Sequence, residues 1–247
     1  LNDQVVLGYV HDDQVDSIFM AAKDRLMREE RRIQSTIGIH CGPKVDDGRN
    51  SLFKVWLDET SADYMMMVDT DQVLRVDMVE RLMAHRKEIV GGLYFTGGFN
   101  SPKRPHLYVI GESEEGTPQM EVLWNYPPNS LVEVNGTGGG CLLVTRRAAL
   151  AVREARGKDH PMPWFAFGMH NNVPIGEDIA FCLTAGKLGI PTFVDTSLVI
   201  GHIKLHIVGE EDYVTSLMDP SHPHYAEREN VPIYRKMVNA DLDLNGN

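Results

Sequence analysis

The segment Tyr64-Met-Met-Met-Val-Asp69-Thr-Asp71 constrains the fold more than any other stretch. A short run of apolar and aromatic residues ends in two carboxylates one residue apart. Five such residues suit a strand buried on both faces better than a helix. Open α/β sheets bind ligands at the carboxyl ends of their strands, which is where Asp69 and Asp71 then stand. On an extended segment, side chains two positions apart point the same way. Two carboxylates so placed suit a hard divalent cation that keeps positions free for phosphate oxygens. The plain alternative is a solvated strand end with an Asp-rich turn, so the neighbouring segments decide.

Those segments alternate strand and helix. Val5–Val10 reads as a buried strand, followed by His11-Asp12-Asp13. Val15 to Glu30 carries Val15, Ile18, Phe19, Ala22, Leu26 and Met27 at helical spacing. Ile33 to His40 alternates as a second strand, and 41–48 reads as a loop by its Gly and Pro content. Arg49-Asn50 opens a helix with Leu52, Phe53, Val55, Trp56 and Leu57 on its apolar face. After the central strand come a helix over Val76 to Lys87 and a strand over Ile89 to Phe95. Such alternation implies parallel strands with right-handed crossovers. Thr96 to Val134 is rich in Gly, Pro and polar residues, with strand-like pieces at His106–Ile110, Met120–Trp124 and Leu131–Val134. It reads as antiparallel strands or loops inserted on the sheet. A buried strand to Thr145, a helix from Arg146 to Arg156 and a helix from Glu177 to Leu188 follow. Pro191–Val194 and Ser197–Ile200 read as short strands around Asp195.

The predicted class is α/β, a mostly parallel Rossmann-like sheet flanked by helices, with a smaller antiparallel insertion. Residues 1–208 are expected to form this domain. Residues 209–247 are polar and Pro-containing, and suit a lid or an oligomer arm.

Composition removes several classes. A net charge of -11 argues against a broad phosphate-binding surface for nucleic acid. Cys41, Cys141 and Cys182 are scattered and lack C-x-x-C spacing, which argues against a disulfide framework or a structural zinc site and fits a reducing, cytoplasmic setting. No apolar stretch approaches the ~18 residues that span a bilayer. The first apolar run is short and meets acidic residues at once, unlike a signal peptide.

Four groups suggest one site. Asp69 and Asp71 are candidate ligands for Mn2+ or Mg2+. Glu177 and Asp178 form a second acidic pair at a helix start, where they also favour the helix dipole. His202 follows a late strand, and its imidazole suits Mn2+ better than Mg2+; a hydrogen-bonded structural histidine is the alternative. Arg49 and Lys204 can meet phosphate charge. Gly138 and Gly139 let backbone approach a ligand or simply make a turn. His202 and His206 are four apart, but the local pattern is strand-like, which argues against a zinc hydrolase.

The order of these pieces resembles the nucleotide-sugar glycosyltransferases of the GT-A fold, in particular a family-two-like group with bacteriophage and bacterial members. The pieces are Arg49-Asn50, Asp69-Thr-Asp71, Ile89-Val-Gly-Gly-Leu-Tyr94, Gly136-Thr-Gly-Gly-Gly-Cys-Leu-Leu-Val144, Gly176-Glu-Asp-Ile-Ala-Phe-Cys182 and Val194 to His202. The resemblance implies that Asp69, Thr70 and Asp71 hold the donor diphosphate through the metal, with His202 completing the metal site. It implies that Arg49, Asn50, His11 and Asp12 lie near the nucleotide, usually a uridine one. It implies a general base at Asp178 with Glu177 orienting the acceptor, and an acceptor-stacking Trp164. The first strand departs from the family pattern, because the Pro and Asn-rich turn usual after it is missing. The implied activity is transfer of a sugar from a nucleotide-sugar donor, expected to be a UDP-sugar, to an acceptor hydroxyl on a modified DNA base, a glycan or a protein.

Two other readings share the scaffold. A nucleotidyltransferase also uses a strand-end carboxylate and a metal, but Tyr9-Val-His-Asp-Asp-Gln14 stands where such enzymes carry a Gly-rich phosphate loop. A non-catalytic binding protein would hold carbohydrate or a protein partner on Trp164, Phe165 and Phe167, in a manner indifferent to metal removal.

Overall fold

In a computed structural model of the chain, Tyr64–Asp69 lies inside a seven-stranded sheet with strands on both sides. The structure describes residues 3–97, 103–112, 117–157, 159–171, 173–204, 218, 220 and 225–230. The chain divides into two units, Leu1–Lys204 and Leu205–Asn247. The first unit begins β1 (Val5–His11), α1 (Ser17–Glu29), β2 (Ile33–His40), α2 (Val45–Glu59), β3 (Tyr64–Asp69), β4 (Gln72–Val73), α3 (Met78–Ala84) and β5 (Ile89–Leu93). The middle holds β6 (Phe95–Thr96), β7 (Arg104–Pro105), β8 (Leu107–Glu112), β9 (Pro118–Val122), β10 (Leu131–Val134) and β11 (Gly136–Thr137). It continues with β12 (Cys141–Thr145), α4 (Arg146–Arg156), β13 (Gly168–His170), β14 (Val173–Ile175), α5 (Glu177–Lys187), β15 (Thr192–Val199) and β16 (Gly201–His202).

The sheet order is β10-β15-β5-β12-β3-β1-β2. β1 is parallel to β2 and β3, and β15 is parallel to β5. β12 runs antiparallel between β3 and β5, and β10 runs antiparallel at one edge. Hence five strands share one direction and two oppose it. β8, β9 and β11 form a small antiparallel sheet from the inserted middle. This is the α/β architecture that the sequence predicts, with a mostly parallel sheet of the GT-A-like, Rossmann kind.

The two-residue period of β3 divides the core. Met65 and Met67 pack with Leu52, Phe53, Trp56, Phe165 and Phe181 on one face. Met66 and Val68 pack with Phe19, Leu26, Met78 and Leu82 on the other. Phe53 meets the rings of Trp56, Phe165 and Phe181 edge-on, at centroid separations of 5.4, 4.9 and 5.9 Å, an arrangement aromatic quadrupoles favour. Gly8 allows α2 to lie this close: a Cβ there would stand 2.4 Å from Met65 Sδ and 2.8 Å from Leu52 Cδ1. Arg146 fixes the far end of α2 by donating to the carbonyls of Leu57 at 2.9 Å, Trp56 at 3.1 Å, Thr60 at 2.6 Å and Ala62 at 2.9 Å. It thereby satisfies carbonyls that a helix end leaves open.

Several boundaries differ from expectation. α2 begins at Val45, not Arg49, so Gly48 is helical. Its missing side chain serves packing, since a Cβ would lie 2.5 Å from Cys41 Cβ. α3 is shorter than expected at both ends: it starts at Met78, after an Arg75–Asp77 ion pair, and ends at Ala84, two residues before Arg86 takes a left-handed φ of +52°. The two strands expected around Asp195 are one strand, whose register on β5 shifts between Asp195 and Val199. The β13–β14 hairpin was not expected. In the second unit, Tyr225–Asn230 is a 3-10 helix, and the Arg228 guanidinium lies 3.9 Å from the Tyr225 ring centroid. The lid or arm expected over 209–247 otherwise lies outside the described residues, as does His206. No helix among the described residues is long and apolar enough to cross a membrane. All three cysteines are free thiols.

Asp195 holds β15 to α3. Its carboxylate accepts from Ser197 N at 2.8 Å and Ser197 Oγ at 2.5 Å, and lies 3.1 Å from His85 Nε2 and 3.5 Å from Arg81 Nη2. Burial would raise its pKa, but the bonds from Ser197 and His85 and the charge of Arg81 outweigh it, so the pKa falls below the usual aspartate value. A carboxylate depressed in the folded state stabilises above its unfolded pKa, and that contribution is lost as pH falls through the folded value. Asp195→Ala is expected to lower the unfolding free energy by about 2–4 kcal/mol at neutral pH, because it takes the carboxylate from His85 and Ser197 and leaves Arg81 only Asp77 and the Ser197 hydroxyl. Urea denaturation at pH 7 and again below pH 4 checks this, since the penalty should shrink in acid.

Candidate functional site

Asp69 ends β3 and Asp71 follows it, both at the carboxyl end of the sheet. A shallow groove of about 290 Å³ opens there, lined by His11, Asp12, Cys41, Asp69, Thr70 and Asp71 among others. His11 and Asp12, two of the residues expected near a nucleotide, therefore share one surface with the D-x-D pair. Asp12 accepts from the N–H of Asp13 at 2.7 Å, and His11 Nδ1 donates to the Asp12 carbonyl at 2.8 Å.

His202 reaches Asp71 through a two-strand ribbon. β16 pairs antiparallel with β4, setting His202 opposite Gln72. Ile203 N donates to the Asp71 carbonyl at 2.6 Å. His202 Nδ1 donates to Phe95 O at 2.7 Å, and Nε2 lies 2.8 Å from Asp71 Oδ2. Burial opposes the imidazolium, but the bonds to Asp71 and Phe95 prevail and raise the His202 pKa. Lys204 Nζ donates to the same Asp71 oxygen at 3.0 Å. Burial likewise opposes the Asp71 carboxylate, and the bonds from His202 and Lys204 bring its pKa below the usual value.

Asp69 turns the other way. Its Oδ1 accepts from Arg49 Nη2 at 2.7 Å. The same guanidinium donates to Glu177 Oε1 through Nη1, which also lies 3.8 Å from Asp178 Oδ2. Arg49 is 3% exposed. Burial opposes its charge, and Asp69, Asp178 and Glu177 more than restore it, so its pKa stands above that of a free guanidinium. Burial pushes the Glu177 pKa up and outweighs the opposing charge of Arg49. Glu177 and Asp178 form the first turn of α5. Asp178 accepts from Gly139 N at 3.1 Å and from Ile179 N at 2.8 Å. Its side chain keeps 14% of its surface against 7% for Glu177, so it is the more reachable of the pair.

The glycines lie under the site's own side chains. A Cβ on Gly138 would stand 1.8 Å from the Tyr94 hydroxyl oxygen and 2.3 Å from His106 Nδ1. One on Gly139 would stand 2.6 Å from Arg49 Cζ, and one on Gly140 2.9 Å from Gln72 Nε2. The space expected for a ligand beside Gly138 and Gly139 is thus filled by protein. Tyr94, His106 and Gln72 are the residues sequence reasoning missed. His106 stands in the sequence only as the start of a strand-like piece, and in the structure it stacks on Tyr94 at 5.0 Å. Burial lowers its pKa, against the pull of Asp178. Gln72 is 0% exposed, and neither amide atom has a partner. Its place directly after Asp71 was the available signal.

Two further placements differ from expectation. Asn50 turns its whole amide to the backbone, accepting from Trp164 N at 3.1 Å and Phe165 N at 3.2 Å while donating to Phe165 O at 2.5 Å and Asp46 O at 2.8 Å. Trp164 is 2% exposed, packs on Phe53, and donates its indole N–H to Ala149 O at 2.8 Å. Its ring lies in the core and presents no stacking face. Phe165 is buried as well, whereas Phe167 is 65% exposed.

The donor set fits a divalent cation. It offers two carboxylates and an imidazole whose other nitrogen is anchored on a backbone carbonyl, the usual support of a metal-binding histidine. These side chains are not yet gathered. Among the described residues, the group of three whose donor atoms lie within 4.8 Å of one another is the exposed set Asp12, Asp13 and His40. Asp69 is drawn to Arg49, and Asp71 to His202 and Lys204.

No protein-family model matches the sequence, and no curated protein matches it. Solved structures do match. The crystal structure of A197 from STIV aligns with a TM-score of 0.51 at 14% identity, covering 83% of this chain and 97% of that one. GalNAc-T7 with UDP, GalNAc and Mn2+ aligns with a TM-score of 0.49 at 10% identity, covering 81% of this chain and 44% of that one. At this identity the first likeness is one of fold.

Asn50→Ala removes the clamp that joins α2 to the segment ahead of the β13–β14 hairpin. The N–H groups of Trp164 and Phe165 would be left buried without acceptors. A loss of about 2–4 kcal/mol is expected, measured by urea denaturation against Asn50→Asp, which keeps the acceptor.

Proposed function

We propose that the chain is a metal-dependent glycosyltransferase that moves a sugar from a nucleotide-sugar donor, a uridine one, to an acceptor hydroxyl. One observation carries the reading. The D-x-D carboxylates at the end of β3 bond in two directions, Asp71 to His202 and Lys204, and Asp69 through Arg49 to Glu177 and Asp178. Cation ligands and a candidate base therefore occupy one end of the sheet. This agrees with the sequence resemblance, which arises independently of the geometry.

Asp69, Asp71 and His202 would hold Mn2+ or Mg2+. When bound, the ion would supply positive charge against the diphosphate leaving group. Lys204, half exposed beside Asp71, is free to swing toward phosphate oxygens and add a second positive charge there. Thr70, His11 and Asp12 line the groove in which the nucleotide would lie. Asp178 is the candidate base that takes the acceptor proton as the hydroxyl attacks. Its orientation is fixed by the N–H groups of Gly139 and Ile179. Such a base contributes roughly 10²–10⁴-fold in an inverting transfer. Glu177, buried on Arg49, keeps the start of α5 in place.

Calorimetry tests this. UDP is expected to bind in the presence of Mn2+ and to lose that binding with chelator. Asp71→Ala should abolish the metal-dependent part, and His202→Ala should weaken it about 10–100-fold. UDP binding indifferent to chelator and to both substitutions would refute the proposed donor site.

A further inference from the structure

We infer that Arg49 is a positioning residue, the internal counter-cation that fastens Asp69 to Glu177 and Asp178 and competes with an incoming divalent cation for Asp69. The inference deepens the reading above and rests on it for its cation part. Its basis is the environment of one guanidinium. Arg49 is 3% exposed, and its terminal nitrogens contact carboxylates from two distant segments, the end of β3 and the start of α5. Its Nε is buried without a partner. The Gly139 backbone covers it so closely that a Cβ would stand 2.6 Å from Cζ. The group therefore has little room to follow a moving partner.

Charge sharpens the argument. One guanidinium faces three carboxylates, so the cluster keeps an excess of negative charge in the absence of a bound cation. Removing Arg49 would leave the three acids to repel one another in a poorly solvated place. The lone cation is what makes their proximity tolerable. The same contact also holds Asp69 away from Asp71, and these two do not converge with His202 into a tight donor set. A divalent ion binding at Asp69 must displace or weaken the Arg49 contact. The guanidinium then bears more fully on Glu177 and Asp178. Cation arrival at the donor end is thereby felt at the acceptor end through a single side chain, a coupling between two ends that share one element.

The test is a thermal-unfolding and calorimetry series on the full chain. It uses the wild type, Asp69→Asn, Arg49→Met and Arg49→Met/Asp69→Asn. With Arg49 present, Asp69→Asn should lower the unfolding temperature, because it removes a bonded counter-charge. With Arg49→Met in place, the same substitution should raise it, because it relieves repulsion. This reversal of sign is the expected result, and the same sign in both backgrounds would overturn the inference. Should Arg49→Met fail to fold, Arg49→Gln with and without Asp69→Asn gives the same comparison. Calorimetry with Mn2+ alone reads the competition: Arg49→Met, or Arg49→Gln in its place, should bind roughly tenfold more tightly than the wild type. Equal or weaker binding by the variant would overturn the competition. A wild type and variant that both bind no Mn2+ would overturn the functional reading and the competition together, while the reversal of sign would still establish the fastening role.

Discussion

A buried positive charge governs the carboxyl end of this sheet. Asp69, Glu177 and Asp178 come from segments more than a hundred residues apart, and each would repel the others in a medium of reduced polarity. Arg49 makes the assembly tolerable, with a planar fork that reaches two directions at once. Breaking such a contact costs more than its net contribution to stability, since it strands charges away from water. The helix that carries Arg49 is accordingly well secured. Gly8 and Gly48 let α2 sit close against the sheet and the loop before it, Asn50 clamps the segment at Trp164 and Phe165, and Arg146 caps the far end.

The glycines of 138–140 belong to the same constraint. Such a run suggests backbone approaching a ligand. Here the approaching atoms are those of Tyr94, His106, Arg49 and Gln72. The absent side chains make room for the polar residues of the site, and the Gly139 N–H is turned to Asp178 as an orienting donor. A glycine run thus marks a crowded place without saying what crowds it.

The fold was legible where burial is written as periodicity. β1 and β3 are uninterrupted apolar runs, and Met65 to Val68 divide cleanly between the two faces of the core. It was less legible where one signal has two causes. Gly48 read as a loop residue and proves to be a packing residue inside a helix. The resemblance implies an acceptor-stacking ring at Trp164, yet a side chain of that size gains more from the core beside Phe53. The candidates that stand at sequence landmarks were legible as candidates: Asp69, Asp71, Glu177, Asp178 and His202. Their partners were not. Nothing in the spacing tells that Asp69 faces Arg49 while Asp71 faces His202 and Lys204, because that choice is made by side-chain direction at the end of β3. Gln72 and His106 escaped for a related reason, since their chemistry lies in burial that only the folded chain confers.

The two carboxylates of the D-x-D pair are therefore unequal. Asp71 is neutralised by groups at the rim, of which Lys204 is 47% exposed and tethered by a long flexible stem. Asp69 is neutralised from within by a group that the backbone of Gly139 covers. Rim contacts exchange readily with solvent and ions, and such exposed pairs contribute little to stability. Interior contacts exchange only if something replaces their charge. A cation approaching this end of the sheet thus meets one carboxylate that is easily surrendered and one that must be taken from Arg49. On the proposed reading, that asymmetry makes the second exchange the step that would couple the end of β3 to the acid pair of α5.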